Sequence, residues 1–230
     1  MTDKRVVIAI DGPGGSGKST VAKRIAQKLG FLYVSSGAMY RAVALWALRL
    51  HVDLTDRHRL EQLAEHADIK LDPQSGRIML NGEDVSAAIR APAVSDAASK
   101  IAAVPGVRRA LLPVQRAAAE DNNVVMEGRD IGSVVFPNAL VKIFLDANPE
   151  ERARRRAAEI RSVAGVADAR TVAVDLNKRD ERDRRRPEAP LVQAADADLI
   201  DTTDLSIDQV EQRILTLIRA RTSNGKAAAG

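Results

Sequence analysis

The chain has 230 residues, 45% of them hydrophobic, which suffices to bury a core and excludes a fibrous or wholly disordered protein. The lack of cysteine excludes disulfides, thiolate zinc sites and a cysteine nucleophile, and the cytoplasm is the expected compartment. The net charge of +4 hides an asymmetry: there are 26 Arg against 9 Lys, and 11 of the arginines fall between Arg152 and Arg186. The planar fork of arginine grips carboxylates and phosphates with two prongs. The run therefore points to a phosphorylated ligand or a polyanion, against the alternative of a solvated helix face laced with ion pairs.

In chain order, residues 5–10 form a β-branched run that feeds Asp11 and a glycine cluster, and 18–29 then carries a helical period stopped by Gly30. Residues 31–34 read as a short buried strand. Ser35 or Ser36 is positioned to cap a helix over 38–50, and Asp56 to cap another reaching about residue 67. The rhythm then changes. Residues 69–71, 77–80 and 83–85 read as short strands, and Asn81-Gly82 is a strong hairpin signal. Residues 68 to about 108 are thus expected to form a small antiparallel subdomain with helical segments, inserted in an α/β body.

Helix returns over 108–120, and 123–126 and 141–145 are apolar enough for central strands. Each ends at polar residues, the place where doubly wound sheets bind ligands. Pro149 suits the first turn of a helix to about residue 160, 169–186 reads as another, 198–200 as the last strand, and 207–221 as the closing helix. Residues 222–230 are expected to form a frayed tail. The apolar runs 6–10 and 42–48 are too short for a signal-peptide core or a membrane span.

Gly12-Pro13-Gly14-Gly15-Ser16-Gly17-Lys18-Ser19 matches the phosphate-loop pattern and lies between an expected strand and an expected helix, as that motif requires. Its glycines let successive N–H groups face phosphate oxygens, and Thr20 continues the helix N-terminus that adds positive potential. Lys18 would bridge the terminal phosphates and Ser19 would ligate magnesium. Asn177-Lys178-Arg179-Asp180 imitates a guanine clamp, but no switch element follows the phosphate loop and the segment continues as a charged helix. On that helix Arg179, Arg182, Asp183 and Arg186 share one face, whereas Asp180, Glu181, Arg184 and Arg185 are expected in water. His51, His58 and His66 form no recognisable ligand set.

Three further segments carry a resemblance: Ser36-Gly37-Ala38-Met39-Tyr40-Arg41, the stretch from Glu127-Gly128-Arg129-Asp130 to Phe136-Pro137, and Arg182-Asp183-Arg184 with Ala189-Pro190-Leu191. In order and spacing the chain resembles the bacterial cytidylate kinases over nearly its whole length. The resemblance implies a single kinase domain of the P-loop nucleoside-monophosphate-kinase fold, a parallel sheet flanked by helices. Its core would be 1–67 and 109–230, with an arginine-rich lid at about 150–165 and the nucleoside-monophosphate-binding insert at about 68–108. It also implies phosphorylation of CMP and dCMP by ATP with Mg2+, Lys18, Arg129 and Arg186 acting in catalysis. By position in the motifs, Arg41, Arg129 and Arg186 would hold the CMP phosphate, Ser99, Arg108 and Asp130 the cytosine, and Arg179 with Asp183 the sugar, with Ser36 lining the same site. Arg152, Arg154, Arg155 and Arg156 are expected in the lid over ATP. A monomer acting on small molecules, with neither nucleic acid nor membrane as partner, is expected. Two other functions compete: a kinase of UMP or a nonnucleotide acceptor, and a basic ATPase or nucleic-acid-binding module favoured by a pI of about 9.6.

Overall fold

A computed structural model describes residues 5–72, 76–165 and 168–227, without the side chains of 163, 164 and 223–227. Five strands, β1 (Val7–Asp11), β2 (Leu32–Ser35), β6 (Val124–Gly128), β7 (Val141–Asp146) and β8 (Asp198–Asp201), form one parallel sheet in the order β2-β6-β1-β7-β8. Their apolar runs are continuous because helices cover both faces. Ile8 and Ile10 share one face with Val125, Val141, Ile143 and Leu145, under α1 (Lys18–Leu29) and α8 (Ile207–Ala227). Ala9, Val34, Val124 and Met126 face the other layer, built on α2 (Ser36–Arg49). Burying each isoleucine contributes about 1.5–3 kcal/mol, so a slip of one residue in β1, which would exchange the two faces, is strongly disfavoured.

The small sheet is antiparallel: β3 (Ile69–Leu71), β4 (Ile78–Leu80) and β5 (Glu83–Asp84). Asn81 and Gly82 both have positive φ, 50° and 83°, the geometry of the two-residue turn that Asn-Gly favours. Around this sheet lie α3 (Arg57–His66), α4 (Pro92–Ile101) and α5 (Pro105–Ala117). Leu60 and Leu63 of α3 pack in the same apolar cluster as Ile69, Ile78, Leu80, Ile101 and Leu111, and that cluster reaches Val124 and Met126 of the main sheet. Apolar contact therefore runs across residues 67 and 108. α5 begins ahead of Arg108 because Pro105 pre-sets its first turn.

Two other boundaries differ from expectation. The side chains of Ser35 and Ser36 cap no helix: Ser35 Oγ donates to Glu127 Oε1 (2.6 Å) and Ser36 Oγ to the Glu127 carbonyl (3.0 Å). Both hydroxyls are thus turned to β6 and not to the N–H groups at the start of α2. At the other end, α8 continues through Ala227, so 222–227 extend a helix that was expected to fray, while 228–230 lie outside the described residues. Asp56 does cap α3, accepting from Arg59 N at 3.0 Å. Among the described residues no helix is long and apolar enough to cross a membrane.

Candidate active site

The site forms where the parallel strands end. β1 delivers the chain into Gly12, whose φ of 144° and contact with β7 admit only glycine, since a Cβ would overlap the Leu145 carbonyl. Gly15, at φ 74°, lies against the Arg152 backbone in the same way. After Gly17 the helix α1 opens on Lys18, which folds back so that Nζ donates to the Pro13 carbonyl (2.6 Å) and to Ser16 Oγ (3.4 Å). Burial and then the Arg129 guanidinium push the Lys18 ammonium down to about 7, against the attraction of Glu127 and Asp180. A bound polyphosphate would supply the negative charge that this ammonium lacks.

Two carboxylates beneath the loop had no assigned role in the sequence reading. Asp11, the last residue of β1, accepts from Ile131 N (2.8 Å) and Gly132 N (2.7 Å) and so ties down a π-helical turn, Ile131–Val135, just after Asp130. Burial raises Asp11 to about 6 in spite of those two bonds. Glu127 in β6 accepts from Ser19 Oγ (3.1 Å), Ser35 Oγ and, at 3.4 Å, Tyr33 OH. Burial raises its carboxyl, but Lys18, Ser35, Arg41 and Arg129 outweigh that and hold it below its ordinary value. Their position at the carboxyl ends of strands was the signal that could have found both.

A cavity of about 850 Å³ opens here, lined by Gly14, Gly15, Lys18 and Ser19 of the loop and by Ser36, Arg41, Ser99, Arg129, Asp130, Arg179, Asp183 and Arg186. Two of its carboxylates are held by arginines. Arg129 Nε donates to Asp183 Oδ2 at 2.9 Å, and Arg108 Nη2 donates to Asp130 Oδ2 from behind the cavity wall. Burial alone would raise Asp183, but Arg129, Arg179 and Arg186 bring it below the usual carboxylate range. Burial and then Arg129 push the Arg179 guanidinium down to about 10. Ser99, 2% exposed in α4, has no partner for its buried Oγ, and neither has Nε of Arg179 or Arg186. Such unsatisfied polar atoms in a cavity wall are what a polar ligand would satisfy. Gly12, Pro13 and Ser16 are buried, Gly17 is half-buried and Thr20 is exposed in the first turn of α1, and none of the five lines the cavity.

The arginine-rich region differs from its expected layout. It consists of α6 (Pro149–Ala164) and α7 (Ala169–Arg184), and Arg186 lies beyond the end of α7 rather than on its stripe. There Arg186 turns inward, Nη2 donating to the Ala189 carbonyl at 2.6 Å and approaching Asp130 Oδ1 at 3.9 Å. Arg182 leaves the cavity for Asp96 of α4, at 3.5 Å. Asp180, expected in water, is 1% exposed: α7 packs its flank on the phosphate loop, and the carboxylate accepts from Gly14 N (3.1 Å) and from Arg152. Arg152 is correspondingly buried, not spread over a phosphate site. Arg154 pairs with Glu151, and Arg155 bonds to Glu151 and Thr202. Of the four, Arg156 alone is among the cavity-lining residues.

Comparison with other proteins agrees with this geometry. The chain matches the cytidylate kinase family over residues 8–220. A cytidylate kinase of Solibacter usitatus is 58% identical over 97% of this chain and 96% of its own length, and one of Pelotomaculum thermopropionicum is 49% identical over 93% and 96%. Among solved structures, a gluconokinase of Sinorhizobium meliloti superimposes with a TM-score of 0.50 at 14% identity over 97% of each chain. An uncharacterised protein of Eubacterium ventriosum gives 0.53 at 15% identity, over 94% of this chain and 99% of its own. At those identities the likeness is one of fold, that of the P-loop kinases. With a family match spanning nearly the whole chain and relatives near half identity or above, the chain belongs to the cytidylate kinase family and is a nucleoside-monophosphate kinase.

Proposed function

We propose that the chain transfers the terminal phosphoryl group of ATP in line to CMP or dCMP, releasing ADP with CDP or dCDP. One observation carries the reading: the phosphate loop, the Arg129–Asp183 pair and Asp130 line one cavity. Moving a phosphoryl group between two polyanions demands charge neutralisation and alignment rather than a nucleophilic side chain. Lys18 and the loop Gly12 to Thr20 hold the donor, through backbone N–H groups other than that of Gly14, which is given to Asp180, and Pro13, which has none. Arg41, Arg129 and Arg186 hold the acceptor phosphate, with Ser36 beside them. Arg179 and Asp183 take the sugar, the carboxylate accepting from hydroxyls, and Ser99, Arg108 and Asp130 take the base. Residues at about 150–165 serve as the lid and about 68–108 as the acceptor-binding subdomain of one kinase domain, working as a monomer in the cytoplasm.

Magnesium fits the residues present. Ser19 Oγ and Glu127 Oε1 lie 3.1 Å apart at the foot of the loop, both hard oxygen donors. Among the described residues no group of three His, Cys, Asp or Glu could hold a metal alone, which suits an ion held chiefly by phosphates and water. When bound, it would neutralise phosphate charge, with Ser19 as its ligand and Glu127 orienting Ser19. Excess chelator is expected to abolish turnover. Turnover persisting in chelator would remove the metal from the reaction.

Steady-state phosphorylation of a panel of CMP, dCMP, UMP and nonnucleotide acceptors tests the substrate. CMP and dCMP are expected to give the highest kcat/KM. A better UMP or nonnucleotide acceptor would overturn the assignment, as would salt-dependent nucleic-acid binding without CMP phosphorylation. The base itself is read by Asp130, because cytosine presents an N4 amino donor where uracil presents a carbonyl, and a carboxylate can only accept. Asp130→Ala is expected to lower kcat/KM for CMP by at least about tenfold and to narrow the CMP to UMP ratio. An unchanged ratio would reduce Asp130 to an anchor for Arg108.

A further inference from the structure

The two nucleotide sites are built on different parts of the chain, and in-line transfer requires them to be held in register. Arg179 and Asp183 project from α7, whereas the phosphate loop hangs from β1. Asp180 lies between those two residues and points the other way, into the loop. Its Oδ1 accepts from Gly14 N at 3.1 Å and its Oδ2 from Arg152 Nη1. The same Nη1 donates to the Gly14 carbonyl at 3.2 Å, and Arg152 Nε donates to the Ala147 carbonyl at 3.0 Å. Both polar groups of the Gly14 backbone are thus taken by this pair.

The fit is close on the same side. A Cβ at Gly14 would fall 2.6 Å from Leu176 Cδ1, the end of a side chain from α7 that packs directly on the loop. An ion pair serving only to join α6 to α7 would need no bond to the loop. This one spends two on it, and neither Arg152 nor Asp180 lines the cavity. We propose that Asp180 and Arg152 are positioning residues that lock the acceptor-binding helix α7 onto the phosphate loop at Gly14, setting donor and acceptor phosphates in line. The inference rests on the CMP kinase reading above and adds to it the means by which its two halves are registered. Misplacing reacting groups by about 1 Å can cost on the order of a hundredfold in rate, whereas each nucleotide bound alone is insensitive to where the other would sit.

The test separates transfer from binding. Asp180→Asn keeps the size and an acceptor for Gly14 N but loses the charge facing Arg152. It is expected to lower kcat by at least about tenfold while the Kd of CMP alone, and of a nonhydrolysable ATP analogue alone, each stay within about threefold by calorimetry. Arg152→Lys, which keeps the charge and loses the fork, should show the same split, and it decides the matter if Asp180→Asn does not fold. Either of two results overturns the proposal: a folded variant with kcat within about threefold of the parent, or loss of single-nucleotide affinity in proportion to the loss of kcat. A parent enzyme that fails to phosphorylate CMP would instead overturn the underlying reading.

Discussion

Lys18→Ala is expected to lower kcat by about a thousandfold, equivalent to about 4 kcal/mol of transition-state stabilisation, while the protein stays folded. The reason lies in what the ammonium does before and after nucleotide binds. In the free protein it bonds only to the Pro13 carbonyl and Ser16 Oγ of its own loop, and burial has lowered its affinity for the proton to about 7. Losing an ammonium that burial disfavours so strongly costs the fold little, because Glu127 keeps Ser35, Arg41 and Arg129 as partners. During transfer the same group faces the oxygens on which charge develops, in a site shielded from water, where a fixed positive charge is worth most. Single-turnover kinetics beside a thermal melt checks both halves. Near-normal turnover would sink the phosphate-loop assignment.

Arg186→Ala is expected to impair kcat/KM by about 2–4 kcal/mol and Arg185→Ala by less than about 0.5 kcal/mol. The two residues are adjacent in sequence and opposite in circumstance. The Arg186 side chain is 2% exposed, turned toward Asp130, with Nε unpartnered in the cavity wall. Arg185, just past the end of α7, is 80% exposed and pairs with the exposed Glu181, an arrangement of small energetic value. Arg186→Lys should recover only part of the loss, because a single ammonium cannot reproduce a two-pronged grip on phosphate. Measuring kcat/KM for CMP in the three variants decides it. Equal effects at 185 and 186 would return the run to a merely solvated face.

Much of this protein is determined locally and could be read before any coordinates. The phosphate loop is an eight-residue pattern whose glycines encode their own backbone shape, and the Asn81-Gly82 turn encodes its positive φ values. Strand and helix periods placed the parallel sheet and its flanking helices, since burial on two faces leaves a continuous apolar run and burial on one face leaves a helical period. The side-chain partners were another matter. Helical spacing put Asp180 in water, because periodicity records which residues share a face and says nothing of what packs against the opposite one. Only the tertiary structure, bringing α7 onto a loop 166 residues away in sequence, turned that carboxylate into the partner of Gly14 and Arg152. The same holds for Asp11 and Glu127. Each lies at the carboxyl end of an apolar strand, and such an end marks where a site can be, but the hydroxyls and N–H groups that give these carboxylates their roles arrive from β2, α1 and the turn after β6, which are close only once the sheet has formed.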